Sequence, residues 1–379
     1  MKVTTAGESH GKALVAIIEG LPAHLRIELE EINAELALRQ SGYGRGGRQK
    51  IERDRVEILT GVRNKETLGS PVTLCIYNKD YANWENCMSD GECDERVMTE
   101  KSLTKVRPGH ADLTGMLKFE QTDARNILER ASARETAIRV AAGGVFKQYL
   151  SALGIQIAGF VKEICGVKDG GRYAFNELAR AKNSPTGMID EESSRLAEEK
   201  ITQLKKEGDT AGGVVEIRVK GVKSGFGSMM TYAEKLDARL AQGLMSIQAV
   251  KGVAVGAGFE VGATSGRNIH DEIYYEEEKG YYRETNRAGG IEGGMTNGEE
   301  IVLSVAMKPI PTLMKGLNTV DFTTKEQAIA ASERSDVCAI FAMEVIAEAV
   351  VAEVLANSIA ERLGGDTMAQ VQERYAQLP

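Results

Sequence analysis

One long apolar segment near the carboxyl end constrains the fold more than any other feature of this chain. The stretch CAIFAMEVIAEAVVAEVLANSIAERLG belongs to a helix that we predict over 336–363, and it carries little charge around most of its circumference. A helix with so little polar surface has to be surrounded by other parts of the protein. We therefore expect it to be largely buried at the centre of the fold.

Periodicities elsewhere indicate an α+β protein. Further helices are predicted at 28–40, 133–152, 191–207 and 232–249, and strands at 13–18, 56–62, 71–77, 155–163, 213–222, 252–261 and 300–307. The strands do not alternate strictly with the helices, so a doubly wound parallel sheet is disfavoured and mostly antiparallel sheets are expected. The helices at 133–152 and 336–363 should be central.

No feature of the sequence marks a domain boundary. The 379 residues could hold two or three average domains, but the chain has no repeat, low-complexity tail or Pro/Ser-rich linker. With 42% hydrophobic and 27% charged residues, it is typical of a globular protein with a large core. We expect one domain over 1–379.

Charge, apolar runs and cysteines limit the functional classes. A formal net charge of −8 disfavours general attraction to nucleic acid or to anionic membranes. No apolar run approaches the roughly 20 residues of a membrane span, and no charged segment followed by an apolar one opens the chain. The five cysteines form no C-x-x-C pair and are expected to be reduced thiols without a metal. These features predict a cytoplasmic protein.

Two of the four histidines share a setting that is typical of acid–base groups. TAGESHGKALVAIIEG carries His10 between glycines ahead of a strand, and RPGHAD carries His110 after a Pro-Gly turn. Imidazole titrates near neutral pH, so a histidine on tight backbone beside a ligand can donate or accept a proton. The alternative for each is an ordinary surface or hydrogen-bonded histidine.

The segment RQSGYGRGGRQKIERDR, residues 39–55, is rich in arginine and glycine. A guanidinium group binds carboxylate or phosphate through two parallel hydrogen bonds, and glycines let the loop lie close to a ligand. We predict an anion clamp here. Solvated arginines on a flexible loop are one alternative, and an RGG-like nucleic-acid patch is another, weakened by the overall acidity and the lack of interleaved aromatic residues.

A second anion site is predicted within ERASARETAIRVAAGG. Ser132 and Glu135 have the spacing of a capping box, so a helix should begin at Ala133 with its free N–H groups exposed. Arg134 in the first turn would reinforce the site. Many capping boxes, however, begin helices that bind nothing.

The 336–363 helix is expected to begin in a similar way. Ser335 can cap it, which puts Asp336 in the first turn beside Arg334. The helix dipole and the arginine should keep Asp336 ionised. This carboxylate can act as a base or merely as a cap, and capping is the commoner role.

Two glycine- and proline-containing segments could line a ligand. MKPIPTL, 307–313, has Pro309 and Pro311 in a stiff extended ledge, and GGIEGGMTNG, 289–298, allows close backbone approach. No G-x-G-x-x-G, P-loop or G-x-S-x-G stands between a strand and a helix, and H-E-x-x-H is absent from the sequence. Rossmann, kinase, zincin and serine hydrolase interpretations therefore lose support.

Taken together, these segments resemble chorismate synthases of the bacterial type over essentially the whole chain. GESHGKALVAIIEGLP, RQSGYGRGGRQKIE, RPGHADL, ERASARETAIRVAAG, GGMTNG, MKPIPTL and RSDVCAIFAMEV stand in the order of that family. The resemblance implies a 1,4-anti elimination of phosphate from 5-enolpyruvylshikimate 3-phosphate, with reduced FMN required but no net redox change. It also implies a β-α-β sandwich with long central helices, assembled as a homotetramer.

The resemblance further implies roles for individual residues. His10 would protonate the departing phosphate, His110 would protonate the flavin, and Asp336 would help the flavin to accept the ring proton. The implied substrate-binding residues are Arg39, Arg48, Arg107, Arg134 and Arg334. The implied cofactor-binding residues are Arg39 and Arg45 for a nicotinamide nucleotide, and Ser132, Ala133, Arg134, Gln248, Ala249, Gly293, Lys308, Pro309, Ile310, Pro311, Thr312 and Arg334 for FMN.

Other functions remain open at this level. One alternative is an oxidoreductase that uses FMN for net hydride transfer, and another is a non-enzymatic nucleic-acid-binding module built on the 39–55 arginines. NADPH could serve as the reductant of the flavin, although the chain length, without a large inserted segment, favours another source. No role is assigned to 86–98 or 163–190.

Overall fold

The helices lie close to the positions that the periodicity predicts. A computed structural model describes residues 1–47, 52–331 and 336–379. Its helices are α1 (Leu29–Gln40), α2 (Glu85–Met88), α3 (Glu95–Lys101), α4 (Asp112–Phe119), α5 (Arg125–Ala131), α6 (Thr136–Ser151), α7 (Glu191–Glu207), α8 (Leu236–Met245), α9 (Gly266–Ile269), α10 (Ile340–Leu363) and α11 (Met368–Ala376). The five predicted helices are confirmed as α1, α6, α7, α8 and α10.

The strands form two larger sheets and several short hairpins. They are β1 (Lys2–Ala6), β2 (Ala13–Glu19), β3 (Glu57–Thr60), β4 (Val62–Arg63), β5 (Glu66–Thr67), β6 (Val72–Tyr77), β7 (Gln156–Ile164), β8 (Val167–Lys168), β9 (Gly213–Lys220), β10 (Val250–Val255), β11 (Ile273–Glu276), β12 (Gly280–Arg283), β13 (Ile291–Glu292), β14 (Met295–Thr296), β15 (Ile301–Met307), β16 (Asn318–Val320) and β17 (Gln327–Ile329). The strand orders are β1-β2-β6-β3 and β10-β15-β9-β7-β8. Both sheets pair antiparallel throughout, as expected.

The long helices α6 and α10 pack against each other between these sheets. α6 contacts β2 and β6 of the first sheet, and α10 contacts β7 and β9 of the second. Most residues of α10 are buried, which confirms the expectation from its composition. The two helices approach closely at Gly143, where a Cβ would stand 2.3 Å from the Cβ of Ala349. Glycine at this crossing therefore sets the spacing of the helical layer.

Two predicted helix starts are wrong. A 3-10 turn, Ala133–Glu135, comes before α6, so the α-helix begins at Thr136 instead of Ala133. The carboxylate of Glu135 bonds to other parts of the chain and does not close a capping box. α10 begins at Ile340 with Ala339 as its N-cap, so Asp336 lies before the first turn and not within it. The predicted cap, Ser335, lies outside the described residues.

Residues 1–47, 52–331 and 336–379 contain neither a candidate membrane-spanning helix nor a candidate metal site. No helix there is both long and apolar enough to cross a membrane. No group of three or more His, Cys, Asp or Glu side chains in those ranges could hold a metal ion. All five cysteines fall in them and are free thiols.

Candidate active site

His10 lies in the loop that joins β1 to β2, at one end of the first sheet. Gly7 opens this loop with a φ of +114°, and a Cβ there would stand 2.3 Å from the carbonyl oxygen of Ala13. Only glycine fits such a position. The reversal brings His10 against α5, where its backbone N–H donates to Glu129 Oε2 at 2.8 Å.

Glu129 also holds the ring of His10. Nδ1 of His10 lies 2.8 Å from Glu129 Oε1, and Glu129 is 3% exposed. Burial opposes ionisation of this carboxyl group, but the hydrogen bonds and charge of His10, together with Arg125, keep the pKa of Glu129 below its usual value. Because a carboxylate only accepts hydrogen bonds, Nδ1 carries the proton, and Nε2 is the ring nitrogen left for a ligand.

The indole of Trp84 also contacts the imidazole of His10. Its ring stacks on the imidazole of His10 with centroids 3.9 Å apart and an interplanar angle of 26°. Lys101 Nζ lies 3.6 Å from the indole centroid, and Arg125 Cζ lies 4.9 Å from it. Cation–π attraction and stacking thus fix the plane of the His10 ring.

His110 is held in the same manner by another carboxylate. Its Nδ1 lies 2.5 Å from Asp112 Oδ1, while Asp112 Oδ2 accepts from Arg107 Nε at 2.8 Å. Burial opposes the ionisation of Asp112, but hydrogen bonds from His110 and Arg107 hold its pKa well below the usual value. Arg107 also donates to Thr312 Oγ1 at 3.1 Å, so its guanidinium belongs to this network.

The proline-containing ledge meets the His110 turn. Lys308 Nζ donates to the carbonyl oxygen of Gly109, and Lys308 N donates to the carbonyl oxygen of Ala249 at 3.0 Å. Burial, followed by the charge of Lys251, lowers the pKa of Lys308. Ala249 has a φ of +68°, which is rare for a residue with a Cβ and is typical of functional sites.

The Ser132–Arg134 turn lies between the two histidine loops. Ser132 Oγ accepts from Arg134 N at 3.2 Å. Glu135 accepts from Thr5 Oγ1 at 2.8 Å and from Gln248 Nε2 at 3.3 Å, which ties β1, this turn and the segment before β10 together. The other amide atom, Gln248 Oε1, is buried and has no hydrogen-bond partner within 1–47, 52–331 and 336–379.

Arg39 and Arg134 form a buried guanidinium pair around Asp54. Arg134 Nη1 donates to Asp54 Oδ2 at 2.6 Å, and Arg39 Nη1 lies 3.7 Å from the same oxygen. Arg39 Nε also donates to Thr136 Oγ1 at 3.0 Å. Burial lowers the pKa of Arg39 to about 9; Asp54 opposes this shift and repulsion from Arg134 adds to it. Arg39 is therefore cationic at neutral pH.

Arg45 and Asp336 meet at the tip of the arginine segment. Arg45 Nε lies 3.2 Å from Asp336 Oδ2, close enough for an ion pair but without hydrogen-bond geometry, and Gly46 N donates to Asp336 Oδ1. Within the described residues Arg45 is thus a cation beside Asp336, and the predicted contact of Asp336 with Arg334 stays a prediction. Arg48 and Arg334 lie outside the described residues.

Shared contacts join most of these groups into one site. Asn78 accepts from Arg134 Nε at 3.0 Å and donates to the carbonyl oxygen of Gly11 at 2.8 Å, which links the arginine pair to the His10 loop. Gly293 is not brought into this network. It lies in the β13–β14 turn, whose contacts run to Leu236 at the start of α8.

The donor set of the site suits a polar, anionic ligand. Arg45 Nη1 and Arg134 Nη2 are buried without a hydrogen-bond partner in the described residues, although Arg134 Nη2 lies 3.7 Å from Glu52. Burial of such guanidinium donors costs free energy unless a carboxylate or phosphate pairs with them. Within the described residues, the guanidinium donors can therefore hold an anion. Gln248 Oε1 can accept a hydrogen bond from a heterocycle beside that anion.

Sequence reasoning missed the residues that hold the histidines. Glu129 and Trp84 lie far in sequence from His10, and Asn78 lies far from Arg134, so no local spacing could have revealed these contacts. Asp54 lies within the 39–55 segment, but no role was predicted for it. Asp112 stood within RPGHAD, two residues from His110, and could have been found from that proximity.

Comparisons with known proteins all point to one family. The family model for chorismate synthase matches residues 1–360. The chorismate synthase of Geobacter metallireducens is 51% identical over 386 residues, which cover 99% of this chain and 97% of that protein. That of Alkaliphilus metalliredigens is 50% identical over 375 residues, covering 99% and 98%. A solved chorismate synthase structure superposes with a TM-score of 0.79 at 39% identity, covering 99% of this chain and 96% of that one.

Proposed function

The chain belongs to the chorismate synthase family, and on that premise we propose how its residues perform the reaction of the family. That reaction removes phosphate and a ring proton from 5-enolpyruvylshikimate 3-phosphate and gives chorismate. One observation carries the proposal: His10 and His110 are each bound through Nδ1 to a buried carboxylate, beside a group of buried arginines.

The arginines would bind the substrate. A guest with two carboxylates and a phosphate needs several cations to offset the loss of its hydration. Arg45 and Arg134 support this role because each has a buried donor without a hydrogen-bond partner among the residues that the structure describes. Arg39 and Arg107 would add charge from their fixed positions in the network. The implied residues Arg48 and Arg334 complete the proposed set.

The histidines and Asp336 would manage the protons. With Nδ1–H donated to Glu129, His10 can present a proton on Nε2 to the departing phosphate once it is in the imidazolium form. His110, tied to Asp112, can hold a proton at Nε2 for the cofactor. Asp336, fixed by Arg45 and the N–H of Gly46, would orient the group that accepts the ring proton.

We also propose the cofactors from the family resemblance. Reduced FMN, when bound, would lend an electron to the substrate and recover it, so that no net redox change occurs. The residues that would hold it are Ser132, Ala133, Arg134, Gln248, Ala249, Gly293, Lys308, Pro309, Ile310, Pro311, Thr312 and Arg334. The unpaired Gln248 Oε1 and the close approach of Lys308 to Gly109 support this assignment. NADPH, near Arg39 and Arg45, would be a reductant of the flavin.

The family resemblance extends to assembly and location. We propose a single domain over 1–379 with a β-α-β sandwich; one core cluster that includes residues of both larger sheets and of α6 and α10 supports this. We further propose a cytoplasmic homotetramer that binds neither nucleic acid nor membrane. Exposed apolar side chains on β11 and β12, including Ile273, Tyr275 and Tyr281, support association between copies.

An anaerobic assay tests the proposed function. The protein is supplied with 5-enolpyruvylshikimate 3-phosphate and chemically reduced FMN, and phosphate and chorismate are followed with time. Equal amounts of the two products, formed over many turnovers without consumption of reductant, are expected. Oxidised FMN with NADPH, in a parallel sample, tests whether the protein reduces its own flavin.

Two other outcomes would replace the proposal. Consumption of one NADPH for each substrate molecule would indicate an oxidoreductase that performs net hydride transfer. Binding of nucleic acid that falls steeply with salt, with no phosphate released, would indicate a nucleic-acid-binding module.

A further inference from the structure

We propose that Glu129 is a positioning residue for His10, acting with Arg125 and Trp84 to fix the tautomer, plane and charge of its imidazole. This inference rests on the proposed role of His10 and concerns three residues to which the sequence motifs assign no function. All three come from outside the His10 loop, so the loop alone does not determine where the imidazole points.

Glu129 contacts His10 at two independent points. Its carboxylate accepts the backbone N–H of His10 at 2.8 Å and the Nδ1–H at 2.8 Å. The backbone carbonyl oxygen of Glu129 accepts from Ser9 N at 2.9 Å, so the residue fixes both the loop and the ring. One turn earlier on α5, Arg125 Nη1 donates to Glu129 Oε1 at 3.3 Å and holds the carboxylate in place. Such second contacts commonly set the orientation of a functional histidine.

Trp84 restricts the remaining freedom of the ring. With Nδ1 bound, the imidazole could still tilt, but the indole stacks on it with centroids 3.9 Å apart and an interplanar angle of 26°. In the described residues the charged groups around this cluster include Glu8 and Lys12 of the loop itself, Asp80, which accepts from Trp84 Nε1 at 3.1 Å, Lys101 of α3, and Arg125, Glu129 and Arg130 of α5. Glu129 is the anion among them that touches the His10 ring.

Removal of the Glu129 charge should therefore make the imidazolium form of His10 less stable. Arg125 would then remain beside the ring without its carboxylate, which adds repulsion. An opposite charge beside an imidazolium favours the charged form. In Glu129→Gln the charged form should therefore be lost at a lower pH than in the parent protein, while the amide keeps the shape and an acceptor oxygen.

Trp84 provides a direct reading of this titration because it is the only tryptophan in the chain. A protonated imidazole quenches a stacked indole more strongly than a neutral one. Fluorescence excited at the indole band, recorded from pH 5 to 9 on the protein alone, should show one transition that is lost in His10→Gln. Glu129→Gln should move the transition to lower pH. Glu66→Gln, which alters the exposed carboxylate–histidine pair with His24, should leave it unchanged.

Steady-state kinetics give the second readout. Glu129→Gln should lower kcat about 10- to 100-fold, less than the loss of the imidazole itself, and change KM by less than about threefold. If Glu129→Gln does not fold, Glu129→Asp tests the proposal instead, because its carboxylate is one methylene farther from His10. The fluorescence transition should then move less, but in the same direction, and kcat should lie between those of the parent protein and Glu129→Gln. A transition and a kcat equal to those of the parent protein in the folded variant would overturn the proposal.

The two readouts separate this inference from the proposed function. The fluorescence titration needs neither substrate nor cofactor, so it tests the Glu129–His10 coupling even if the parent protein forms no chorismate. Failure of the parent protein to release phosphate would count against the function, and an unmoved transition would count against Glu129.

Discussion

Replacement of Asp112 by asparagine should destabilise the protein strongly. Asp112 is 1% exposed, and its carboxylate accepts from Arg107 N at 3.1 Å, Arg107 Nε at 2.8 Å, Arg107 Nη2 at 3.1 Å and His110 Nδ1 at 2.5 Å. The substitution removes the charge but leaves Arg107 buried at 6% exposure. Breaking a buried ion pair by removing one partner typically costs about 3 to 5 kcal/mol. We expect a loss of that size in the free energy of unfolding at pH 7.

The pH dependence of this loss follows from the lowered pKa of Asp112. A group whose pKa is depressed in the folded state contributes stability above its unfolded pKa and loses that contribution as pH falls through the folded value. The difference in the free energy of unfolding between the parent protein and Asp112→Asn should thus be largest at pH 7. It should begin to decrease below pH 3.8, the unfolded pKa of Asp112.

Urea unfolding followed by circular dichroism measures this difference, at one protein concentration, between pH 7 and pH 3. Asp90→Asn is a matched control, because Asp90 pairs with Lys12 on the exposed surface and its loss should not be detectable. A loss below about 1 kcal/mol for Asp112→Asn at pH 7, or a difference that is constant down to pH 3, would refute the reasoning.

Four further results are expected. His10→Gln and His110→Gln should each lower kcat about 10²- to 10⁴-fold with unchanged circular dichroism; near-normal turnover in both would contradict the proton roles. Arg39→Lys should raise KM, since lysine cannot reproduce the forked contacts to Thr136; an unchanged KM would exclude a binding role. Gly143→Ala should cost about 1 to 3 kcal/mol in urea unfolding, because α6 and α10 touch there, whereas Gly170→Ala, in open space, should be neutral. Glu344→Gln should be tolerated, because burial and the charge of Glu348 raise the pKa of Glu344 and favour its neutral form. Glu348→Gln should be strongly destabilising, because Lys147 and Lys182 overcome the effect of burial, lower the pKa of Glu348 and pair with its carboxylate.

The elements with strong periodicity could be predicted from the sequence. The composition of α10 required burial, and the structure surrounds it with α6, α8 and a sheet. The boundaries were less accurate where tertiary contacts compete with local signals. Glu135 has capping-box spacing, but its carboxylate bonds to Thr5 and Gln248, and the first turn is a 3-10 turn as a result.

The reactive groups of the site could be predicted from the sequence, but the residues that hold them in place could not. His10 and the 39–55 arginines stood out because their residue types and glycine neighbours are unusual. Glu129 and Asp54 are ordinary acidic residues in sequence, and only the fold brings them to within 2.8 Å of His10 and 2.6 Å of Arg134. Long-range pairing of this kind has no local pattern from which it could be read.

A crystal structure with 5-enolpyruvylshikimate 3-phosphate and FMN bound is the most direct test of the account. We predict His10 Nε2 within about 3.2 Å of a phosphate oxygen and His110 Nε2 at a similar distance from the cofactor, with both Nδ1 atoms still on their carboxylates. Imidazole rings that point away from both ligands would contradict the central claim.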